Sequence, residues 1–340
     1  VKQTIFFLII AAVQQAAVAQ LDIALPTAND ALFHGGGPAF YQYVDRDYKG
    51  VKSTPWQGGQ YGFVRDPVET SAGFAYTRLH EGIDIRPTQR SPSGMPLDPV
   101  RAIADGKVVH VSTTPRWSNY GQFVVIEHVW GGCRYYSLYA HLNKVSAGTG
   151  EQVSKGQQIG VLGFTGAGIN ERRAHLHLEL NLMLNRNFQD WHRRYFPTEQ
   201  NHHGIYNGLN LAGLDIARLL LAVRRNPSLN LPEFISRQEV AYKVLLPHSS
   251  HFDLPRFYPW MVAGDPKITP ASWEVAFDRT GLPLRITPSS RRVEAPTASM
   301  VKPSTVPYGY LTNNVIVGRG DAFHLSESGL RRMKLLISPD

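Results

Sequence analysis

Ala174-His175-Leu176-His177-Leu178-Glu179-Leu180 alternates between an aliphatic and a polar side chain without a break. A period of two is the signature of a β-strand, with Leu176, Leu178 and Leu180 on one face and His175, His177 and Glu179 on the other. A merely solvated face would accept any polar residue, whereas here two imidazoles stand about 6–7 Å apart along one strand face. Such a pair can serve one metal ion together with the water bound to it. Upstream, Lys107–Val111, Phe123–Glu127, Arg134–Tyr139 and Gln158–Leu162 read as further short strands separated by turn residues. The 30 glycines and 23 prolines also favour short strands over long helices. The expected fold class is mainly β: an antiparallel β-sheet or sandwich core with a smaller α+β C-terminal extension.

Two other stretches carry groups of the same chemistry. In Leu79-His80-Glu81-Gly82-Ile83-Asp84-Ile85, a continuous strand would set His80, Gly82 and Asp84 on one face and Ile83 and Ile85 in the core. An imidazole and a carboxylate so placed suit Zn²⁺. In Tyr135-Tyr136-Ser137-Leu138-Tyr139-Ala140-His141-Leu142, alternation sets His141 at the strand end on the face of Tyr135, Ser137 and Tyr139. Each stretch alone is weak; three in one chain are not.

Taken together, residues 56–184 resemble the LytM/lysostaphin-type zinc peptidases, the M23 peptidase family. The resemblance is carried by His80-x-x-x-Asp84, Pro99–Val108, Tyr120–His128 and Tyr139-Ala140-His141-Leu142. It continues through Val153–Gly160 and Gly163-Phe164-Thr165-Gly166 to His175-Leu176-His177-Leu178-Glu179. It implies one Zn²⁺ per chain on His80, Asp84 and His177, with His141 and His175 as the catalytic histidines. Three protein ligands leave a fourth tetrahedral position open, the mark of a catalytic rather than structural site. The resemblance further implies hydrolysis of peptide bonds in peptidoglycan peptides, and it carries an alternative, a non-catalytic regulator that binds and activates another wall hydrolase. Two features depart from the family. Phe74 stands where some members place a tyrosine six residues before the first ligand, leaving Tyr76 as a nearby substitute. The chain also continues far beyond the His-x-His strand.

The rest of the chain bounds these readings. Lys2, the apolar run Ile5–Val13 and Ala17-Val18-Ala19 make residues 1–19 a signal peptide, cleaved after Ala19. The run is shorter than the roughly 20 residues of a membrane span, so no stable span is expected after cleavage and the protein is expected in the periplasm, the envelope or outside the cell. The lone Cys133 excludes an internal disulfide, a zinc ribbon or a redox pair and reads as a small buried hydrophobe. With 35 Lys+Arg against 27 Asp+Glu, the net charge of +8 suits a partner such as acidic cell-wall material. No basic cluster or nucleic-acid motif accompanies that charge, so nucleic acid is not an expected partner. The Val153–Gly160 stretch also resembles a turn of biotinyl and lipoyl domains, but a swinging-arm carrier is a remote reading because no Met-Lys-Met-like or Asp-Lys-Ala-like site accompanies it.

Organisation is expected as an N-terminal segment 20–55, a peptidase core 56–184 and an extension 185–340. Within the extension a helix is expected over 210–226, ended by Pro227, and a hairpin around Thr280-Gly281. A loop or linker is expected over 288–307 and a last helix from Ser326. Asn201-His202-His203-Gly204 reads as an ordinary polar loop, and Gly163–Gly168 as a tight turn rather than a phosphate cradle.

Overall fold

A computed structural model describes residues 21–42, 46–48, 51–53, 56–71, 73–264 and 269–338. The expected signal peptide lies outside them. In chain order the strands that frame the site are β1 (Gly62–Thr70), β2 (Gly73–His80), β3 (Ile83–Ile85), β4 (Gly106–Ser112), β5 (Phe123–Trp130), β6 (Cys133–Ala140), β7 (Leu176–Met183) and β8 (Leu211–Gly213). Gln152–Val153, β4, β5, β6, β7 and β8 lie side by side in one antiparallel sheet, as the alternation predicts. The outer edge of β7 is shared, β3 pairing with its first half and β8 with its second.

Alternation becomes burial on β7. Leu176, Leu178, Leu180 and Leu182 are fully buried and join Ile83, Ile85, Tyr135 and Tyr139 in the main core. Each buried leucine contributes about 1.5–3 kcal/mol, which pins the polar face of the strand in a fixed position. On that polar side the sheet is also buried. Phe123, Val125, Leu138, Ala140 and Met183 form a second cluster, closed over by Leu211, Ile205 and Tyr206 from beyond the His-x-His strand. Half of this face is therefore core, and the polar side chains emerge at one end of it.

The stretch Leu79–Ile85 is not the single strand expected. β2 ends at His80 in a hairpin with β1, Glu81-Gly82 turns, and β3 then joins β7. The turn is permitted by Gly82. A Cβ there would press on the Leu178 carbonyl oxygen and come within 2.8 Å of Glu179 Cγ. Gly82→Ala is accordingly expected to cost about 1–3 kcal/mol of unfolding free energy as an overpacking change, read as a lowered denaturation midpoint. An unchanged midpoint would mean the turn does not press on β7.

The extension supplies α1 (Phe188–Tyr195), α2 (Ile216–Arg225), α3 (Glu327–Ile337) and an antiparallel sheet of β9 (Tyr242–Pro247), β10 (Ser272–Phe277), β11 (Pro283–Ser289) and β12 (Thr297–Val301) in the order β11-β10-β9-β12. The hairpin around Thr280-Gly281 and the last helix stand as expected; Ser326 caps α3 by accepting from the Gly329 N–H. Two expectations are corrected. Residues 211–213 are strand, not helix, because the backbone of β7 beyond β3 needs partners and finds them there; α2 begins only after Asp215, which caps it. Residues 288–307 are not all loop, since β12 pairs with β9 in spite of its Pro/Ser-rich surroundings.

The extension is tied to the sheet by buried bonds. The Met183 N–H donates to the Tyr258 hydroxyl at 2.8 Å, and Asn185 Nδ2 donates to the Leu335 carbonyl at 2.8 Å. One hydrophobic cluster runs from Leu21 to Ile337 and includes Cys133. No helix among the described residues is long and apolar enough to cross a membrane.

Candidate metal centre

Three elements bring His80, Asp84 and His177 together. His80 is the last residue of β2, Asp84 the middle of β3, and His177 lies directly opposite Asp84 in the β3–β7 ladder. His80 Nε2, Asp84 Oδ1 and His177 Nδ1 form a nearly equilateral triangle with edges of 3.0, 3.0 and 3.1 Å. Among the described residues this is the one group of His, Cys, Asp and Glu whose ligand atoms converge in this way. All three side chains are buried.

The outward-facing atoms determine what the inward-facing ones can do. The His80 Nδ1–H donates to the Gln60 carbonyl at 2.7 Å, and the His177 Nε2–H donates to Glu179 Oε1 at 2.8 Å. The second carboxylate oxygen of Asp84 is held by the Arg65 guanidinium at 2.6 Å. With a metal bound, each ring would thus spend its proton away from the centre and point a lone pair at the same spot as a carboxylate oxygen. Lone pairs held this close repel unless a cation lies among them. Tetrahedral zinc with bonds of about 2.0–2.1 Å separates its ligand atoms by roughly 3.3 Å, close to the edges seen here. The donor set fits the metal.

His141 reaches this site by a route that alternation misses. Tyr135 and Tyr139 enter the main core, and Ser137 lies with them, so an extended continuation would send His141 to the core side. Instead its backbone is left-handed, with φ of 63°, at the end of β6. That conformation costs about 1–2 kcal/mol for a residue with a Cβ, and it turns the ring onto the polar face. There it meets His175 edge to face at 4.7 Å between ring centroids and His177 at 5.8 Å. The turn over Gly163–Gly168 holds it: the His141 Nδ1–H donates to the Thr165 carbonyl at 2.9 Å. The His175 Nδ1–H donates to the Arg173 carbonyl at 2.7 Å, leaving Nε2 3.4 Å from Asp84 Oδ1. In both rings Nδ1 is therefore spent on a backbone carbonyl, and His175 turns its Nε2 to the centre.

Burial and neighbours set the charges. Burial opposes ionisation of Asp84, but His175 and His80 hold its carboxyl well below the usual range. Burial, reinforced by His175 and His177, holds His141 well below the usual imidazole value, so it is neutral at physiological pH. His80 is likewise lowered by burial. For His177 burial works downward, yet hydrogen bonds to Asp84 and Glu179 raise it to about 10. Without metal, its Nδ1 then carries a proton in the place a metal would take. Metal binding near pH 7 is expected to release one proton and to strengthen about tenfold per pH unit up to pH 10. Calorimetry in two buffers of different ionisation enthalpy reads this directly, and no proton release would contradict it. The sign for the metal-free fold follows too. A raised histidine contributes stability that is complete below about pH 6.5 and is lost as pH climbs toward 10.

Sequence reasoning missed the supporting residues. Glu179 was placed on the right face, but its function is to hold His177, and it accepts from the Tyr120 hydroxyl at 2.7 Å and Asn181 Nδ2 at 2.8 Å. The tyrosine joined to the site is thus Tyr120, within the Tyr120–His128 motif, and not Tyr76. Arg65 and Gln60 had no signal. His203 pairs with His110 at 3.2 Å, His202 stacks on Trp117, and among the described residues no third ligand atom joins them. His128 belongs to a buried network with Asp105 and Ser137.

The family comparison falls on this same region. The family model described as Peptidase family M23 matches residues 78–190. Those residues are an M23 peptidase domain. It contains His80, Asp84, His141, His175 and His177, while Gln60 and Arg65 precede it. The peptidoglycan DD-endopeptidase ShyA of Vibrio cholerae is 37% identical over 127 residues, covering 36% of this chain and 27% of that protein. The cell division protein DipM of Caulobacter vibrioides is 30% identical over 116 residues, covering 34% of this chain and 17% of DipM. A zinc-containing peptidase of known structure from Vibrio cholerae is 30% identical, covering 42% of this chain and 36% of that one, with a TM-score of 0.26. The match thus spans about a quarter of ShyA and less of DipM.

Proposed function

We propose that this protein is an exported zinc metalloendopeptidase that hydrolyses peptide bonds in bacterial cell-wall peptidoglycan, either in stem peptides or in cross-links. The observation that carries the reading is the triangle of His80 Nε2, Asp84 Oδ1 and His177 Nδ1, faced by two further imidazoles. In this reading the three hold Zn²⁺. Bound there, zinc acidifies a water to a pKa near 7 and polarises the carbonyl of the bond to be cut.

The chain's own residues do the rest. Glu179 and Gln60 orient the two ligand histidines, and Arg65 holds the second oxygen of Asp84 so that a single one is offered to the centre. His141, neutral because it is buried, takes the proton at Nε2 and can return it to the departing amine. His175 presents its own Nε2 beside the same space, fixed by the Arg173 carbonyl. The wall substrate is supported by the similarity to the peptidoglycan DD-endopeptidase ShyA, by the expected export and by the basic charge. Retention of all five polar side chains favours an enzyme over a regulator of another hydrolase, which would need no metal.

The test is digestion of purified cross-linked peptidoglycan, with new amino termini counted and the products weighed. Chelation is expected to stop release and added zinc to restore it. Full release after chelation, or none from a protein carrying one zinc per chain, would reject the proposal.

A further inference from the structure

We propose that a cavity lined by both chain neighbours of His80 binds a free carboxylate of the substrate peptide through the arginines of α3 that line it, Arg331 and Arg332. This rests on the peptidase reading above and narrows its substrate class. The cavity has a volume of about 250 Å³ and lies where α3 and Gly208-Leu209 meet Leu79 and Glu81. Leu79 and Glu81 are the chain neighbours of His80 on either side. Gly208 closes in on Tyr120, since a Cβ there would stand 2.7 Å from the tyrosine hydroxyl. That hydroxyl donates to Glu179, which in turn holds His177. One wall of the cavity is thus continuous with the support of a proposed metal ligand. The space is below the roughly 300–1,000 Å³ of drug-sized pockets and suits a single amino-acid residue.

Its charge selects the occupant. Arg331 and Arg332 are both half-buried and make no ion pair among the described residues. The Arg331 guanidinium lies over the Phe196 ring at 5.0 Å, and its backbone carbonyl accepts from the Trp191 indole, so its place is fixed. Arg332 is set against the backbone of Gly281. The one acid lining the cavity is Glu81, which is exposed, leaving a net positive charge; Asn313 and Ser328 add neutral donors. Guanidinium forks match a carboxylate in shape and charge. A doubly charged phosphate would meet stronger repulsion from Glu81. The substrate is therefore a peptide that carries a free carboxylate on the side facing the extension. Because Arg331 and Arg332 lie outside residues 78–190, this selectivity belongs to the extension and not to the M23 domain.

Calorimetric binding of acetyl-alanyl-alanine, with its free C-terminal carboxylate, is compared with binding of the same dipeptide amidated, using the full-length zinc-loaded protein. The acid is expected to bind about tenfold or more tightly than the amide, as charge-assisted hydrogen bonds require. Arg331→Gln and Arg332→Gln should each remove most of that preference. Glu81→Gln should tighten the acid several-fold and leave the amide unchanged, and it decides the matter if the arginine variants fold poorly. Equal binding of acid and amide, or a preference unmoved by all three substitutions, would overturn the proposal. So would loss of the preference in His177→Ala, because the carboxylate would then have been on the metal. Binding is read without turnover, so a protein that cuts no peptide would defeat the peptidase reading and leave this comparison decisive.

Discussion

Replacing His177 by alanine is expected to lower kcat/KM for peptide hydrolysis by at least about a thousandfold and to bring bound zinc from one per chain to nearly none. The reason is geometric before it is chemical. His177 supplies one corner of the triangle and spans the gap between Asp84 and Glu179, bonding to each. Without it the metal keeps two protein ligands, too few for a stable catalytic site. Glu179 is also left buried with one donor fewer, so its carboxyl should rise from its lowered value and the fold should weaken by roughly 1–3 kcal/mol. Metal analysis, hydrolysis and denaturation of the one variant read all three effects. Glu179→Gln should be milder, lowering zinc affinity about 10–100-fold through loss of support to His177. A His177→Ala protein that retains zinc and activity would remove His177 from the site.

The second large effect separates metal binding from proton transfer. His141→Ala is expected to reduce kcat about 10²–10⁴-fold while zinc stays at one per chain. His141 makes no bond to the triangle atoms, and its Nδ1 is spent on the Thr165 carbonyl, so its removal takes away an acid–base group and not a ligand. The left-handed backbone adds a check that a purely structural residue would not share. His141→Gly should be as inactive as His141→Ala yet more stable, because glycine carries no Cβ penalty at φ of 63°. Metal loss on either substitution, measured beside the rate, would move His141 from proton transfer to metal holding.

How much of this was legible in the sequence depends on the kind of signal. Strict alternation at Ala174–Leu180 placed His175, His177 and Glu179 on one face, because a period of two leaves a strand only two sides. The same rule failed at His141 and across Glu81-Gly82. In both cases the chain departs from extended geometry at the residue that matters, by a left-handed turn in one and a glycine-permitted kink in the other. Such departures concentrate where side chains must converge from several strands, and no periodicity reports them. The supporting residues were hidden for another reason. Arg65, Gln60 and Tyr120 act through contacts made between residues far apart in the chain, and nothing in their neighbours distinguishes them. Local composition favours a helix at β8 and a loop at β12, but pairing with a vacant strand edge overrides it.

The central claim is that three chosen atoms share one ion. A crystal of the zinc-loaded protein, with anomalous scattering recorded on both sides of the zinc absorption edge, tests it most directly. A single strong peak is expected about 2.0–2.2 Å from His80 Nε2, Asp84 Oδ1 and His177 Nδ1, with Glu179 still bonded to His177 Nε2. A peak lying elsewhere, or bonded to His141 or His175 in place of one of those three, would contradict it.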